Sequence, residues 1–274
     1  MKVWVLALGL ACLIAGVNQA KADSDMTVPM VVPFTMQGHV PTVSAQLNGQ
    51  PIRLAIDLGG YSSLAVRTAA LGKMAVAFDG HVDRWKDAEG TEHASRTFSI
   101  DELRAGDFMA THVDSSELVT PIVGGQDGYI GFGLLQRYVM VFDYMKGELR
   151  LYGHTATDML KIECGANIFP IDVINGVVQA KIPTDRGVFI FQLDTGASEN
   201  VFRPSALGDA ASSFKGITSI PFSRFTIGSR DFGRTRIPLR EFNAPDVDGV
   251  LGSDFLDRKL LCLDPQGHRA AIKE

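Results

Sequence analysis

Residues 127–135 read Asp127-Gly128-Tyr129-Ile130-Gly131-Phe132-Gly133-Leu134-Leu135, and residues 248–256 read Asp248-Gly249-Val250-Leu251-Gly252-Ser253-Asp254-Phe255-Leu256. The two stretches align without a gap at an offset of 121 residues, and the match runs on to Leu151 and Ile272. Arg137/Arg258 and Asp143/Asp264 are identical pairs within it. An earlier pair also corresponds: Ile52-Arg53-Leu54-Ala55-Ile56-Asp57-Leu58-Gly59-Gly60 resembles Phe189-Ile190-Phe191-Gln192-Leu193-Asp194-Thr195-Gly196-Ala197. Each half therefore holds a strand, an apolar-Asp-x-Gly turn, a long excursion, an Asp-Gly-apolar-apolar-Gly segment, a short helix and a strand. Chance rarely repeats two such elements in the same order, so the chain is read as an internal duplication joined near residues 153–167.

Outward from these motifs the chain reads as short β-runs. Strands are expected over 40–47, 52–56, 98–103, 139–142 and 148–152, then over 177–182, 188–193, 224–227, 236–239 and 260–263. Helical signals are few and short, near 62–71 and after Gly131 and Gly252. Many brief strands separated by Gly-rich turns predict an all-β fold with few short helices.

The 274 residues carry 26 Lys+Arg against 31 Asp+Glu, a net charge of -5, with 46% apolar residues, 28 Gly and 12 Pro. That composition excludes a disordered, collagenous or disulfide-knotted chain. The acidic balance argues against nucleic acid as a partner, because neutralising phosphates takes clustered Lys and Arg.

Residues 1–22 read as a cleavable secretory signal. Lys2 supplies the charged start, 3–17 the apolar run, and Ala20-Lys21-Ala22 the small-residue cleavage site. A run of about 15 apolar residues is shorter than the roughly 20 that a spanning helix needs. Gly9 stands where a lipobox has Leu, which argues against lipid attachment at Cys12. The expectation is a periplasmic or secreted protein with no stable membrane span and a mature charge of -7, once Lys2 and Lys21 are removed. Two cysteines remain, Cys164 and Cys262. They either form one bridge in an oxidising compartment or stay as buried thiols.

The apolar-Asp-x-Gly pattern has a physical logic. Apolar residues carry the Asp to the end of a buried strand, and the Gly makes a tight turn whose backbone N–H can reach the carboxylate. A single copy is a turn former. Two copies on a duplicated chain would meet at the pseudo-twofold axis. Adjacent carboxylates then share one proton, one acting as base and the other as acid, and can polarise a water between them.

Leu193-Asp194-Thr195-Gly196-Ala197-Ser198 resembles the active-site motif of retropepsin-like aspartic proteases. Residues Val250 to Leu256 resemble their second signature, which Ile130 to Leu135 repeat more loosely in the first half. The resemblance covers nearly all of the mature chain. It implies two similar retropepsin-like β-barrel lobes in one chain, residues 23–160 and 161–274, in a pepsin-like arrangement that needs no dimer. It implies Asp57 and Asp194 as the catalytic pair of an aspartic endopeptidase. Gly59 and Gly196 would then donate backbone N–H groups to them, with Thr195 in a hydroxyl lock beneath. A flap from the first excursion would carry Trp85 and Gly90 toward a peptide substrate. The chain departs from the family at Leu58, which replaces Thr or Ser and removes half of the lock. That departure motivates the rival reading, a catalytically impaired pseudo-protease that binds peptides or an envelope partner. Gly60 and Ala197 stand where pepsins carry a hydroxyl bonded to the carboxylate, which predicts activity nearer mildly acidic or neutral pH than gastric pH.

The six His show no metal-ligand spacing, and no cofactor motif is present. The acidic stretch 114–117 reads as a solvated loop. Arg137 and Arg258 are expected to make ion pairs, either with Asp143 and Asp264 or across the lobes.

Overall fold

The computed structural model describes residues 28–274, except 75, 121, 123, 155, 157, 215 and 245. The proposed leader and Cys12 lie outside the described residues. The fold is all-β with a handful of short helices. Among the described residues no helix is long and apolar enough to cross a membrane.

The duplication is visible strand by strand. Gly128–Gly131, the helix Phe132–Leu135, Val139–Asp143 and Glu148–Tyr152 recur 121 residues later as Gly249–Leu251, Ser253–Leu256, Leu260–Asp264 and Arg269–Lys273. Before the excursions the offset is 137. Val40–Leu47 and Gln50–Asp57 return as Val177–Thr184 and Gly187–Leu193. The shorter second excursion accounts for the change of offset.

A six-stranded sheet joins the halves. Its order is Met30–Pro33, Glu148–Tyr152, Val139–Asp143, Leu260–Asp264, Arg269–Lys273, Ile168–Pro170. At its centre Val141 pairs with Cys262, its own copy 121 residues on, flanked by Met140↔Leu263 and Phe142↔Leu261. The local twofold axis therefore passes through the Val141–Cys262 pair. Both central strands are almost wholly buried, with Met140, Val141, Phe142, Leu261, Cys262 and Leu263 sealed from solvent. This is the unbroken apolar pattern of a strand covered on both faces. Cys262 forms a disulfide to Cys164, at the end of the helix Met159–Cys164 that connects the halves.

Above this base each half builds its own sheet. In the first, eight strands run from Thr35–Gln37 to the hairpin Glu92–Ala105/Phe78–Lys86, and Val40–Leu47 pairs back onto Glu92–Ala105. In the second, a five-stranded sheet is supplemented by two small hairpins, Ser219–Phe222/Thr235–Pro238 and Thr226–Ile227/Arg230–Asp231. Beneath the second sheet lies a run of phenylalanines. Phe189 meets Phe202 edge-on at 4.9 Å, Phe202 meets Phe222 at 5.5 Å, and Phe191 meets Phe225 at 5.4 Å. Such pairs contribute about 0.5–1.5 kcal/mol each beyond the area they bury. They fix the strand that delivers Asp194.

Three sequence expectations need correction. Leu64–Arg67 is a strand squeezed between two neighbours, and only Thr68–Leu71 is helical, because Leu64, Ala65 and Val66 form a continuous buried run. The stretch 114–117 is no solvated loop. It lies in the strand Phe108–Leu118, and Glu117 is buried with both carboxylate oxygens on Arg96 (2.8 and 2.9 Å) and one on Thr68 Oγ1 (2.8 Å). Asp143 and Asp264 pair with Arg150 (3.4 Å) and Arg269 (2.8 Å), the cations that the antiparallel hairpins bring alongside them, while exposed Arg258 lies 3.8 Å from its neighbour Asp257.

The disulfide closes a separation of 98 residues, and a loop of that size restricts the unfolded chain strongly. Replacing both Cys164 and Cys262 with Ala is expected to lower unfolding free energy by about 2–5 kcal/mol in denaturant titrations. Titrations of the unmodified protein with and without reductant should differ by the same amount.

Candidate functional site

Two strands of parallel sense aim the acidic residues. Gln50–Asp57 pairs in parallel with Gly128–Gly131, and Gly187–Leu193 with Gly249–Leu251. The Asp of each Asp-Gly-x-x-Gly segment anchors this arrangement. Asp127 Oδ2 accepts the N–H of Arg53 (3.1 Å), and Asp248 Oδ2 accepts that of Ile190 (2.8 Å). Past the strand ends the chain folds back through Leu58-Gly59-Gly60 and Thr195-Gly196-Ala197. Asp57 Oδ1 receives the N–H groups of Gly59 (2.8 Å) and Gly60 (3.0 Å). Asp194 Oδ1 receives those of Gly196 (2.8 Å) and Ala197 (3.2 Å). The following segments support each turn from below, with Phe132 N–H on Gly60 C=O (2.8 Å) and Ser253 N–H on Ala197 C=O (2.9 Å).

The two turns interlock. A Cβ built on Gly59 would collide with the carboxylate of Asp194, and one on Gly196 with the carboxylate of Asp57. Both positions therefore require glycine by contact, whatever the backbone angles. The two carboxyl groups are close enough for each to bear on the ionisation of the other. Beneath them Thr195 Oγ1 donates to Ile56 C=O (2.7 Å) and accepts the N–H of Leu58 (3.1 Å). A single fully buried hydroxyl thus ties the second turn to the backbone on both sides of Asp57. Leu58 has no hydroxyl to make the reciprocal bonds, and its side chain is packed into the core instead.

Burial and the neighbouring Asp194 charge raise Asp57 well above the usual carboxylate range, against the opposing pull of the Gly59 and Gly60 N–H groups. Burial also raises Asp194, offset by Gly196, Asp57, Ala197 and Gly59. The pair therefore retains one proton at pH values where isolated carboxylic acids are ionised. Tyr129, beside Asp57, is pushed far up by burial and by that carboxylate, so its phenol stays neutral.

Cavities open on both sides of the pair. One, of about 300 Å³, lies against the first half and is lined by Asp57, Tyr61, Ser62, Trp85, Ser116 and Tyr129 among others. The other, of about 550 Å³, lies against the second half, with Asp194, Gln192, Val201, Phe242 and Val250 in its wall and Lys86, Asp87, Glu89, Glu199, Arg240 and Glu241 around it. Gly59 and Gly196 line both, so the pair sits where the two meet. The hairpin Phe78–Lys86/Glu92–Ala105 reaches over this junction. Its tip is bonded to the second half, Asn243 N–H donating to Ala88 C=O (2.6 Å). Trp85 Nε1 donates to Ser95 Oγ (2.9 Å), and its indole stacks on His93 at 4.7 Å, while His93 Nε2 contacts Asp87 Oδ2 at 2.6 Å.

The structure brings together Asp57, Asp194, Gly59, Gly196 and Thr195, and places Trp85 in the first cavity. Gly90 stands apart from them. It is at the hairpin turn with φ 85° and faces Asn243, lining neither cavity. Cys164 and Cys262 are bridged and distant in role, holding the base sheet. Sequence reasoning missed Tyr129, Gln192 and Asn243. Strand alternation could have flagged Gln192, which lies two residues before Asp194 and so shares its face. Asn243 touches the site only through a tertiary contact that no local pattern encodes. Among the described residues no three His, Cys, Asp or Glu are grouped to hold a metal ion. Comparison with models of known protein families and with characterised proteins gives no match.

Two predictions follow from this geometry. Thr195→Val keeps the shape but leaves Ile56 C=O and Leu58 N–H unpaired, at about 1–3 kcal/mol for each buried group left unsatisfied. Thr195→Ser restores the hydroxyl, so denaturant unfolding should separate Val from Ser by at least about 1 kcal/mol. Second, the folded pair keeps a proton that the unfolded chain releases near pH 4. The unfolded state then binds fewer protons, so stability falls as pH rises through that window, by at most about 1.4 kcal/mol per pH unit. Asp57→Asn removes this decline, and its melting temperature should exceed that of the parent most at neutral and alkaline pH. A larger advantage at pH 4 than at pH 8 would contradict the raised carboxyl.

Proposed function

We propose that the chain is an aspartic endopeptidase of retropepsin-like type, with one lobe in each half and a pair of Asp residues shared between them. The observation that carries this reading is the interlock of the two Asp-x-Gly turns, which holds Asp57 and Asp194 against each other between two cavities. A water held between the carboxyls would attack the carbonyl carbon of a peptide. Its proton passes to the ionised Asp, while the protonated Asp gives its proton to the carbonyl oxygen. Collapse of the tetrahedral diol returns one hydroxyl proton to the pair. The other carboxyl protonates the leaving nitrogen, so the pair ends as it began.

The hairpin over the junction is the candidate flap. An extended peptide would lie beneath it as an added strand, with side chains entering the two cavities in turn. The aromatic lining of Tyr61, Trp85 and Tyr129 favours a bulky residue on the first-half side. The proposal extends to a monomer exported by the leader at 1–22 to the periplasm or medium, and the Cys164–Cys262 bridge supports an oxidising compartment.

Leu58 keeps a second reading in play, a pseudo-protease that holds peptides without cutting them. The surviving Thr195 bonds to Ile56 and Leu58 weigh against it, because the turns remain tied through one hydroxyl.

The test is incubation of the mature protein with denatured proteins and a peptide library from about pH 2 to pH 8, beside Asp57→Asn and Asp194→Asn. Cleavage by the parent, lowered at least about 10²–10⁴-fold in either variant, is the expected result. The optimum should lie at mildly acidic to neutral pH, and a peak below about pH 3 would refute the raised carboxyls. Peptide binding without cleavage by any of the three proteins would establish the second reading instead.

A further inference from the structure

The two halves are close copies around the pair, yet one contact to it has no counterpart. Gln192, on the strand Gly187–Leu193 and on the same face as Asp194, donates from Nε2 to Asp194 Oδ2 at 3.1 Å. The equivalent residue before Asp57 is Ala55, which has no side-chain donor. Asp194 thus receives two N–H groups of its own turn on Oδ1 and an amide on Oδ2. Asp57 receives the N–H groups of Gly59 and Gly60 on Oδ1. Donors stabilise a carboxylate over the neutral acid, so the side with more of them holds the negative charge.

We propose that Gln192 is a positioning residue that breaks the twofold symmetry of the pair, leaving Asp194 ionised and the shared proton on Asp57. The inference rests on the hydrolytic reading above. Within it Asp194 takes the proton of the attacking water, and Asp57 delivers its proton to the peptide oxygen. Other ionisable groups face the pair. Tyr129 stands beside Asp57, Tyr144 lies buried on the Asp194 side, and Lys86, Asp87, Glu89, Glu199, Arg240 and Glu241 line the cavity into which Gln192 projects. Glu199 is paired with Arg240 and Asp87 contacts His93, while the four carboxylates around this cavity outnumber its two cations. Among the described residues, Gln192 is the side chain that donates a hydrogen bond to a carboxyl oxygen of the pair.

The experiment uses the mature protein with ¹³C-labelled Asp carboxyls, assigned by comparison with Asp57→Asn and Asp194→Asn, and the near-isosteric Gln192→Met. In the parent, Asp194 is expected to ionise at lower pH than Asp57. In Gln192→Met its ionisation should move up by about one pH unit, the tenfold loss expected on removing a hydrogen bond to a charged group. The acid limb of the kcat/KM profile should move with it while the alkaline limb stays in place. If Asp57 ionises first in the parent, the amide presents its oxygen to a protonated Asp194 and the proposal is overturned. An acid limb and titration unmoved in Gln192→Met, with only KM raised, would overturn it too and make Gln192 a wall of the cavity. Absence of cleavage, with the titration order and its shift intact, would leave the proton placement standing and remove the hydrolytic reading alone.

Discussion

Two carboxyl groups held against each other under a roof are an unfavourable arrangement, and the molecule is organised around making it tolerable. Desolvation and mutual repulsion both resist a second negative charge at Asp57 and Asp194. The turns answer with donors. Four backbone N–H groups reach the two Oδ1 atoms, and the bare Gly59 and Gly196 let each turn approach the carboxylate of the other. Those donors must be rigid to be worth having. The rigidity comes from Thr195 below, from the Phe132 and Ser253 N–H groups that brace the turns, and from the six-stranded sheet whose axis pair is Val141–Cys262. The base sheet thus does for the backbone what the turns do for the charge. It makes one relative placement of the halves far more stable than its neighbours.

Much of this was legible in the sequence, because duplication turns weak motifs into a constraint. Asp-x-Gly alone marks a turn, but its recurrence before two Asp-Gly-apolar-apolar-Gly segments implies a shared axis. The all-β class and the positions of the central strands followed from apolar runs between Gly-rich turns. Errors arose where burial overruled local character. Leu64–Arg67 and the helix after it read as one helix, since a three-residue apolar run has no distinguishing period. The acidic 114–117 read as solvated, because nothing local announces that Arg96, about twenty residues earlier, will fold over Glu117. The choice between thiols and a bridge for Cys164 and Cys262 was likewise open until the connecting helix was seen to dock on the base sheet.

The site itself divides along the same line. Its acids and glycines sit in fixed spacings and were named from sequence. The residues that shape it, Tyr129, Gln192 and Asn243, come from three different segments and meet only in the folded chain. Asn243 holds the tip of a hairpin that belongs to the other half, and Tyr129 fills the space that Gly60 leaves open. Such residues carry no motif, because their requirement is a position in space and several side chains could satisfy it.

The departures from symmetry carry the chemical argument. A perfect duplicate would place two identical acids in identical surroundings, with no reason for the proton to prefer either. Here Leu58 stands opposite Thr195, and Ala55 opposite Gln192. The first change removes a hydroxyl from one side of the lock and replaces it with buried hydrocarbon. At position 58 packing stands in for those bonds, and the one remaining hydroxyl, on Thr195, holds Ile56 and Leu58 on either side of Asp57. The second change adds a donor to the half that kept its hydroxyl. The two departures act on different things: the missing hydroxyl alters the lock beneath the turns, and the added amide alters the donors on a carboxyl oxygen. An acid in apolar surroundings keeps its proton, and one with several donors releases it. The loss of the hydroxyl at position 58 thus removes one strut of the lock without touching either carboxyl, and the placement of the proton rests on the donors that do touch one, the Gln192 amide among them.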